Sequence, residues 1–340
     1  VGYVLVGSSD VEGSSPIISS DNGKRWFDAR SSSELSEVSF TDVIWDGDRW
    51  VAIGSLRVSD PYSGFKLSIA TSQDGRIWDL VHLGGDHFDI LGTPLFSSLT
   101  TATLTYDGSK YVVFTKDFML LKTTDLNQWE ISFIYGPGGT RGLIYSSFWD
   151  GHRWTINREG ETFAAGEWAY STDLVNWTWM SVTPGLFQLS VGYDDGLYVS
   201  NGTLSNDGVT WTSNASLSGA FFNLGPSKLA HGNGIWVLAA VASPRVSTNK
   251  IDWIDLYPDP RFEFLRVRYV VFDPVHGFMV FSDVTDGSTY TGECCIHTTR
   301  NGVDFEKQDI VPKGFSLFYQ SLRGGGYVRG SGWFIGKIGM

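Results

Sequence analysis

From Thr41 to Gly54 the chain reads TDVIWDGDRWVAIG, two hydrophobic runs separated by a short polar stretch around Asp-Gly. The arrangement returns as TATLTYDGSKYVVF, ending at Phe114, and as IYSSFWDGHRWTIN, ending at Asn157. It continues as LSVGYDDGLYVSN, KLAHGNGIWVLAA and YVVFDPVHGFMVF. Short runs rich in β-branched and aromatic residues, bounded by turn residues, read as strands. Asp-Gly or Asn-Gly between two of them predicts a tight hairpin, because these residues tolerate the positive φ that such turns need. Each copy is therefore expected to be a strand a, a hairpin turn and a strand b.

A second motif alternates with the first. SSDNGKRW runs from Ser19 to Trp26, SQDGRIW from Ser72 to Trp78 and TTDLNQW from Thr123 to Trp129. STDLVNW covers Ser171 to Trp177 and SNDGVTW covers Ser205 to Trp211. Two degenerate copies follow: STNKIDW, with Asn249 in the Asp place, and TRNGVDF, with Asn301 for Asp and Phe305 for Trp. A Ser or Thr hydroxyl and a carboxylate two residues on can accept backbone N–H groups across a tight turn, and Asn retains that capacity through its carbonyl. The expectation is that Asp21, Asp74, Asp125, Asp173, Asp207, Asn249 and Asn301 hold turns in shape. A site is built once, whereas a fold element is built many times.

The closing aromatics recur about every 46 residues, within the usual spacing of propeller blades. One repeat unit then reads strand a, hairpin, strand b, loop, strand c, stapled turn, strand d: a four-stranded antiparallel sheet. The fold expected is all-β, a seven-bladed β-propeller occupying residues 1–340 as a single domain. At the ends, Val1–Gly7 matches strand b, and Tyr327–Gly336 matches an a–b hairpin. The C-terminal strand is expected to close the ring by completing the first blade, which removes free sheet edges. Because a strand b pattern occurs at both ends, either one copy is displaced or the chain continues past Met340.

The S/T-x-D-(x)-G-x-x-W signature, in which the residue in parentheses is optional, resembles the Asp-box, or BNR, repeat of the sialidase-like β-propellers, along essentially the whole chain. The resemblance implies the propeller fold but not one activity. Similar propellers serve as sialidases, xyloglucan hydrolases, photosystem assembly factors, sorting receptors, lectins and modules of phage and bacterial surface proteins. The TTDLNQW and STDLVNW forms are also similar to turns of five-bladed arabinanase-like hydrolases, although seven repeats argue against that blade number. The sialidase catalytic set does not transfer. Its Arg-Ile-Pro motif is absent, Arg76-Ile77-Trp78 lies inside a stapled turn, and no position matches the Tyr, Glu and Asp that the chemistry requires.

Composition agrees with a β-rich chain. There are 40 Gly, 15% of residues are aromatic, 42% are hydrophobic and only 18% are charged, which disfavours disorder, coiled coils and helical bundles. The formal charge of -12 disfavours nucleic acid and anionic membrane surfaces as partners. No apolar run approaches the ~20 residues of a membrane-spanning helix, so membrane insertion is not expected. The chain begins at Val1 within a strand-like run, which suggests a processed chain or part of a longer one. The adjacent pair Cys294-Cys295 is neither a CxxC redox motif nor a zinc ligand set; it reads as two strand thiols or a vicinal disulfide. No metal or cofactor is expected.

Strand order puts the a–b hairpins and c–d turns at one end of each blade and the irregular b–c and d–a loops at the other, where binding residues concentrate. The long loops are Ser8–Pro16, Arg57–Phe65, Val81–Thr100, Arg158–Trp168 and Asp283–Glu293. Within them Asp86, His87 and Asp89 offer a general acid–base group or weak metal site. Glu159 and Glu161 offer paired carboxylates for glycoside hydrolysis. Each set also reads as solvated loop residues. Arg141, Arg266 and Arg268, near strand starts, could grip a carboxylate, or form ion pairs between blades. Tyr62, Trp168 and Tyr290 are exposed-aromatic candidates that suit sugar rings, or they plug loops onto the core.

The function expected is a non-catalytic recognition or structural module at an extracellular or virion surface. It would contact a glycan or a protein partner and could be attached to a larger assembly. The alternative is a glycoside hydrolase of the sialidase-like superfamily using carboxylates of the loop end. An intracellular assembly scaffold is the third reading.

Overall fold

A computed structural model describes residues 3–6, 16–21, 25–29, 35–58, 64–82, 102–115, 118–139, 144–159, 166–181, 191–200, 202–217, 229–240, 243–256, 265–286, 289–308 and 334–337. Within them the strands form seven four-stranded antiparallel sheets, the blades of a seven-bladed β-propeller. Blade 2 shows the plan: strand a is Val38–Trp45, b is Trp50–Val58, c is Gly64–Ser72 and d is Asp79–His82. Each strand pairs with the next in sequence. Blades 3 to 7 begin with strands a at Ala102–Tyr106, Ile144–Trp149, Gly192–Asp194, Leu229–Gly232 and Leu265–Asp273.

Blade 1 is assembled from both ends of the chain. Phe334–Lys337 pairs antiparallel with Tyr3–Val6, which pairs with Ile17–Ser20, which pairs with Phe27–Asp28. This resolves the duplicate strand b pattern. The C-terminal strand Phe334–Lys337 sits at the strand a position, because strand b is already supplied by the N-terminus. The chain divides into two compact units, residues 1–135 with 312–340 and residues 136–311. The first holds blades 1 to 3 and the second holds blades 4 to 7.

The hairpins form as their turn chemistry dictates. Asp195-Gly196 and Asn233-Gly234 have positive φ at both positions, which the two-residue hairpin requires. Where the turn is longer, an Asp opens it. Asp46 Oδ1 accepts the N–H groups of Asp48 and Arg49 at 2.8 Å each, and Asp107, Asp150 and Asp273 do the same two and three residues on. Each of the six a–b hairpins also carries a directly paired aromatic couple, on the rung beside the turn or on the next one. These are Trp45–Trp50, Tyr106–Tyr111, Trp149–Trp154, Tyr193–Tyr198, His231–Trp236 and Phe272–Phe278, with ring centroids 3.9 to 5.3 Å apart. Such cross-strand pairs add roughly 0.5–1.5 kcal/mol beyond their burial.

Blades pack through apolar faces of their strands. Within the first unit, Val51, Ile53, Leu67 and Ile69 of blade 2 meet Leu104, Val113, Met119 and Leu121 of blade 3. Within the second, Trp168, Val191, Tyr198 and Trp211 join blades 4 and 5, and Val237, Val246, Val267 and Phe305 join blades 6 and 7. A polar latch recurs beside these cores. The Tyr111 hydroxyl of blade 3 donates to Asp46 Oδ2 of blade 2, which also takes Arg49 Nε at 3.3 Å. Tyr198 of blade 5 donates to Asp150 Oδ2 of blade 4 at 2.5 Å, which also takes Arg153 Nε at 3.0 Å. Burial alone would raise both carboxyls, but the Tyr hydroxyl and backbone and Arg donors outweigh it and hold them below the ordinary range. Burial and the facing carboxylate push the Tyr111 phenol up to about 12.

One glycine is required by close approach. A Cβ on Gly136 would lie 1.6 Å from the Arg158 guanidinium, which is buried, donates from Nε to Glu167 Oε2 at 2.8 Å and lies 4.4 Å from the Trp179 ring centroid.

Two expectations follow from the packing. Tyr198→Phe should remove one hydroxyl donor from an ionised acceptor and lower unfolding free energy by about 1–2 kcal/mol in urea titration. Tyr111→Phe should do the same at the equivalent latch. Gly136→Ala should destabilise more than either, since neither the backbone nor a buried, ion-paired guanidinium can move away cheaply.

Candidate functional site

The end of each blade that carries the turns is built by one local device. Ser72 Oγ accepts Gly75 N–H at 2.8 Å and donates to Asp74 Oδ1 at 3.1 Å. Asp74 Oδ1 then accepts the N–H groups of Arg76 and Ile77 at 2.8 and 2.9 Å, and Trp78 Nε1 donates to Gly75 O at 3.1 Å. Asp125, Asp173 and Asp207 repeat the carboxylate bonds. Asn249 and Asn301 repeat them through the amide oxygen. Asp21 is also at its turn, although residues 22–24 lie outside the described residues.

The residue after the staple adopts positive φ whether it is Gly75, Gly208 or Gly302, or instead Leu126, Leu174 or Lys250. A non-glycine residue there costs about 1–2 kcal/mol. Leu126 and Leu174 offset that cost because both side chains are buried, at 2% and 4% exposure. For Asp173 and Asp207 the backbone N–H donors dominate and hold the carboxyls far below the ordinary range. Asp125 is lowered by the same donors. At Asp74 burial opposes the shift and the N–H donors of Ile77 and Arg76 prevail. These groups are firmly ionised and already occupied by the backbone.

Between the turns of blades 1 and 2 lies a cleft of about 460 Å3 lined by Asp21, Phe27, Asp28, Asp74, Arg76 and Ile77 among others. Arg76 pairs with Asp21 across it at 2.5 Å, with both side chains 57% exposed. Such a solvated pair contributes little to stability.

Nearer the inner strands, Asp42 of blade 2 is buried. Its Oδ1 accepts Val43 N–H at 2.9 Å, and its Oδ2 accepts Leu104 N–H of blade 3 at 2.8 Å. Burial outweighs these donors and pushes the carboxyl up to about 7. Asp194 of blade 5 likewise accepts His231 N–H of blade 6 at 2.6 Å and is raised by burial. Both join neighbouring blades.

The candidates of the loop end fare differently. Tyr62, Asp86, His87, Asp89, Arg141 and Glu161 lie outside the described residues. Glu159 ends strand b of blade 4, where it pairs with Gly166. Arg266 and Arg268 lie within strand a of blade 7, and the register shifts between Val267 and Tyr269. Tyr290 is in strand c of that blade, paired with Thr285, so it does not belong to a loop. Strands Gly277–Asp286 and Thr289–Thr299 extend through most of the expected Asp283–Glu293 loop, because the hairpin ladder continues past a bulge. Trp168 requires the clearest correction. It lies in strand c of blade 4, 1% exposed and packed on Trp211, so its ring is core and not a ligand platform. Among the described residues, no three His, Cys, Asp or Glu side chains converge as a metal site would need, and no helix is long and apolar enough to cross a membrane.

Sequence reading missed two features. One is the Asp of the a–b turns, flagged by the aromatic residues on either side of it. The other is a set of exposed aliphatic side chains at the stapled turns, visible as Val or Ile two or three residues after the Asp or Asn.

No protein-family model matches the chain, and no curated protein matches it. Among solved structures it is similar to YCF48 bound to a D1 peptide, at 13% identity and a TM-score of 0.57, covering 82% of this chain and 84% of that one. It is also similar to a candidate 6-phosphogluconolactonase from Bacteroides uniformis, at 9% identity and a TM-score of 0.56, covering 91% and 95%. At these identities the likeness concerns the fold.

Two outcomes test this geometry. Asp173→Asn should lower the melting temperature, because Asn176 Nδ2, which donates to Asp173 Oδ2 at 2.8 Å, would then face another amide. The double variant Asp173→Asn/Asn176→Asp should recover it, since it recreates the Asn249/Asp252 arrangement, where Asn249 Nδ2 donates to Asp252 Oδ2 at 2.8 Å. For Asp42 the folded protein holds a proton that the unfolded chain releases above its ordinary value of 3.8. Stability should therefore fall as pH rises from about 4 to about 7, by at most of the order of 4 kcal/mol. Asp42→Asn should flatten that slope in pH-dependent denaturation curves.

Proposed function

We propose that this chain is a non-catalytic recognition module that holds a protein partner. The observation that carries this reading is the commitment of the recurrent carboxylates. Asp74, Asp125, Asp173 and Asp207 already accept backbone N–H groups and are held ionised, so they serve the scaffold rather than a reaction. Rigid turns at one end of every blade suit binding, because little conformational entropy is lost when a partner docks. The peptide bound to YCF48 is a precedent on this fold for a protein ligand over a glycan.

The hydroxyl–carboxylate–backbone bonding of the turns supports assigning them to the Asp-box class of the sialidase-like superfamily. An extracellular or virion surface is proposed as the location, in keeping with a Gly-rich, aromatic-rich and sparsely charged chain.

The test pairs a released-sugar assay over a panel of aryl glycosides and oligosaccharides with a glycan array. The expected result is no sugar release and no glycan signal from the purified chain. Turnover that disappears in Glu159→Gln or Asp86→Asn would overturn the reading in favour of a glycoside hydrolase. Saturable glycan binding without turnover would replace the protein partner by a sugar.

A further inference from the structure

The stapled turns of blades 4 to 7, all in the second unit, share a side chain that their own geometry does not require. Two residues after the staple stand Val175, Val209, Ile251 and Val303, exposed by 70, 46, 65 and 48%. What the turn needs from these positions is the backbone N–H, which reaches the staple oxygen at 2.8 to 3.0 Å in all four. The equivalent residues of blades 2 and 3 are polar, Arg76 and Asn127. A single exposed Val is ordinary. Four at one position of four successive blades make a repeated apolar feature on the turn end.

Each of these turns also keeps one exposed carboxylate, although its position moves. Blade 4 has Asp173 followed by Asn176, whereas blades 6 and 7 reverse the order as Asn249 with Asp252 and Asn301 with Asp304. In all three the amide donates to the carboxylate, at 2.7 to 2.8 Å. Blade 5 carries Asp207. The staple can be an amide, yet a negative charge stays beside the aliphatic in every case. The nearby cations turn towards the scaffold: Lys250 Nζ lies 4.9 Å from the Trp236 ring centroid, and Arg300 donates to Val275 O at 3.3 Å. Neighbouring blades tie these turns down. Arg153 donates to Asp207 O, and Asn214 Nδ2 donates to Ile251 O at 2.7 Å.

We infer that the turn end of blades 4 to 7 is a docking surface for a protein segment that combines apolar side chains with Lys or Arg. The inference rests on the binding-module reading and names the surface and the partner's chemistry. The aliphatic at each turn supplies area to bury, and the carboxylate beside it selects the sign of the partner's charge. A rigid face lowers the ordering cost of binding.

The test pans a random dodecapeptide display library against the intact chain. It then measures the enriched peptides on the wild type and on Val175→Ser/Val209→Ser/Ile251→Ser/Val303→Ser. Circular dichroism and melting temperature confirm that this variant, altered only at exposed positions, is folded. The enriched peptides should carry aliphatic or aromatic residues with net positive charge, and should bind the variant about tenfold or more weakly. Asp252→Asn/Asp304→Asn, which keeps a carbonyl acceptor at both turns, should weaken binding several-fold, and added salt should weaken it further. Acidic or purely polar enriched peptides, or equal affinity for the serine variant, would overturn the inference. If such peptides bind the wild type and the serine variant alike, the surface assignment fails while the binding-module reading stands. Glycoside turnover in the separate assay sinks that reading itself.

Discussion

A carboxylate oxygen accepting two consecutive backbone N–H groups is the interaction on which the rest of this structure depends. It closes the c–d turns at Asp74, Asp125, Asp173 and Asp207, and the a–b turns at Asp46, Asp107, Asp150 and Asp273. The acceptor is charged, so each bond is stronger than a neutral one. Its donors are turn N–H groups that a strand ladder cannot reach. Both turns of a blade lie at the same end, so the device is concentrated there.

Large aromatic side chains then make the turns cooperative with the core. The closing Trp donates its indole N–H to the carbonyl of the left-handed residue in the turns of Trp78, Trp129 and Trp253. Its ring packs into the blade. The paired aromatics across each a–b hairpin do the equivalent on the inner strands. Between blades, the contact is mainly apolar, supplemented where a Tyr hydroxyl or a buried Asp reaches a neighbour. Asp42 and Asp194 differ in their electrostatics: each takes backbone N–H donors, as the turn carboxylates do, but is more deeply buried. Desolvation prevails over the donors there, whereas at the solvated turns the donors prevail.

The same economy bears on function. Asp74, Asp125, Asp173 and Asp207 of the repeat each commit one carboxylate oxygen to two backbone N–H groups of the turn. What varies from blade to blade without cost to the turn is the side chain at the tip. Blades 4 to 7 use that freedom for an aliphatic next to a carboxylate.

The blade plan, the six stapled turns among the described residues and the antiparallel hairpins were legible in the sequence, because each arises from interactions within a few residues: Asp or Asn to N–H, Gly or Asn at positive φ, and alternating apolar positions. The swap of Asp and Asn between positions 173/176 and 249/252 was also written there, since its hydrogen bond is local. Tertiary structure decided what depends on distant partners. Trp168 ends the segment that the sequence reads as a long loop, but strand c begins at Gly166 and the Trp168 ring meets Trp211 of the next blade. The C-terminal strand Phe334–Lys337, a strand b by pattern, became a strand a because Tyr3–Val6 already occupied that place. Asp42 stands apart from the turn motifs, inside the run TDVIW, but nothing in that run sets its protonation. Only the arrival of blade 3 over it, bringing the Leu104 N–H and removing water, sets its charge.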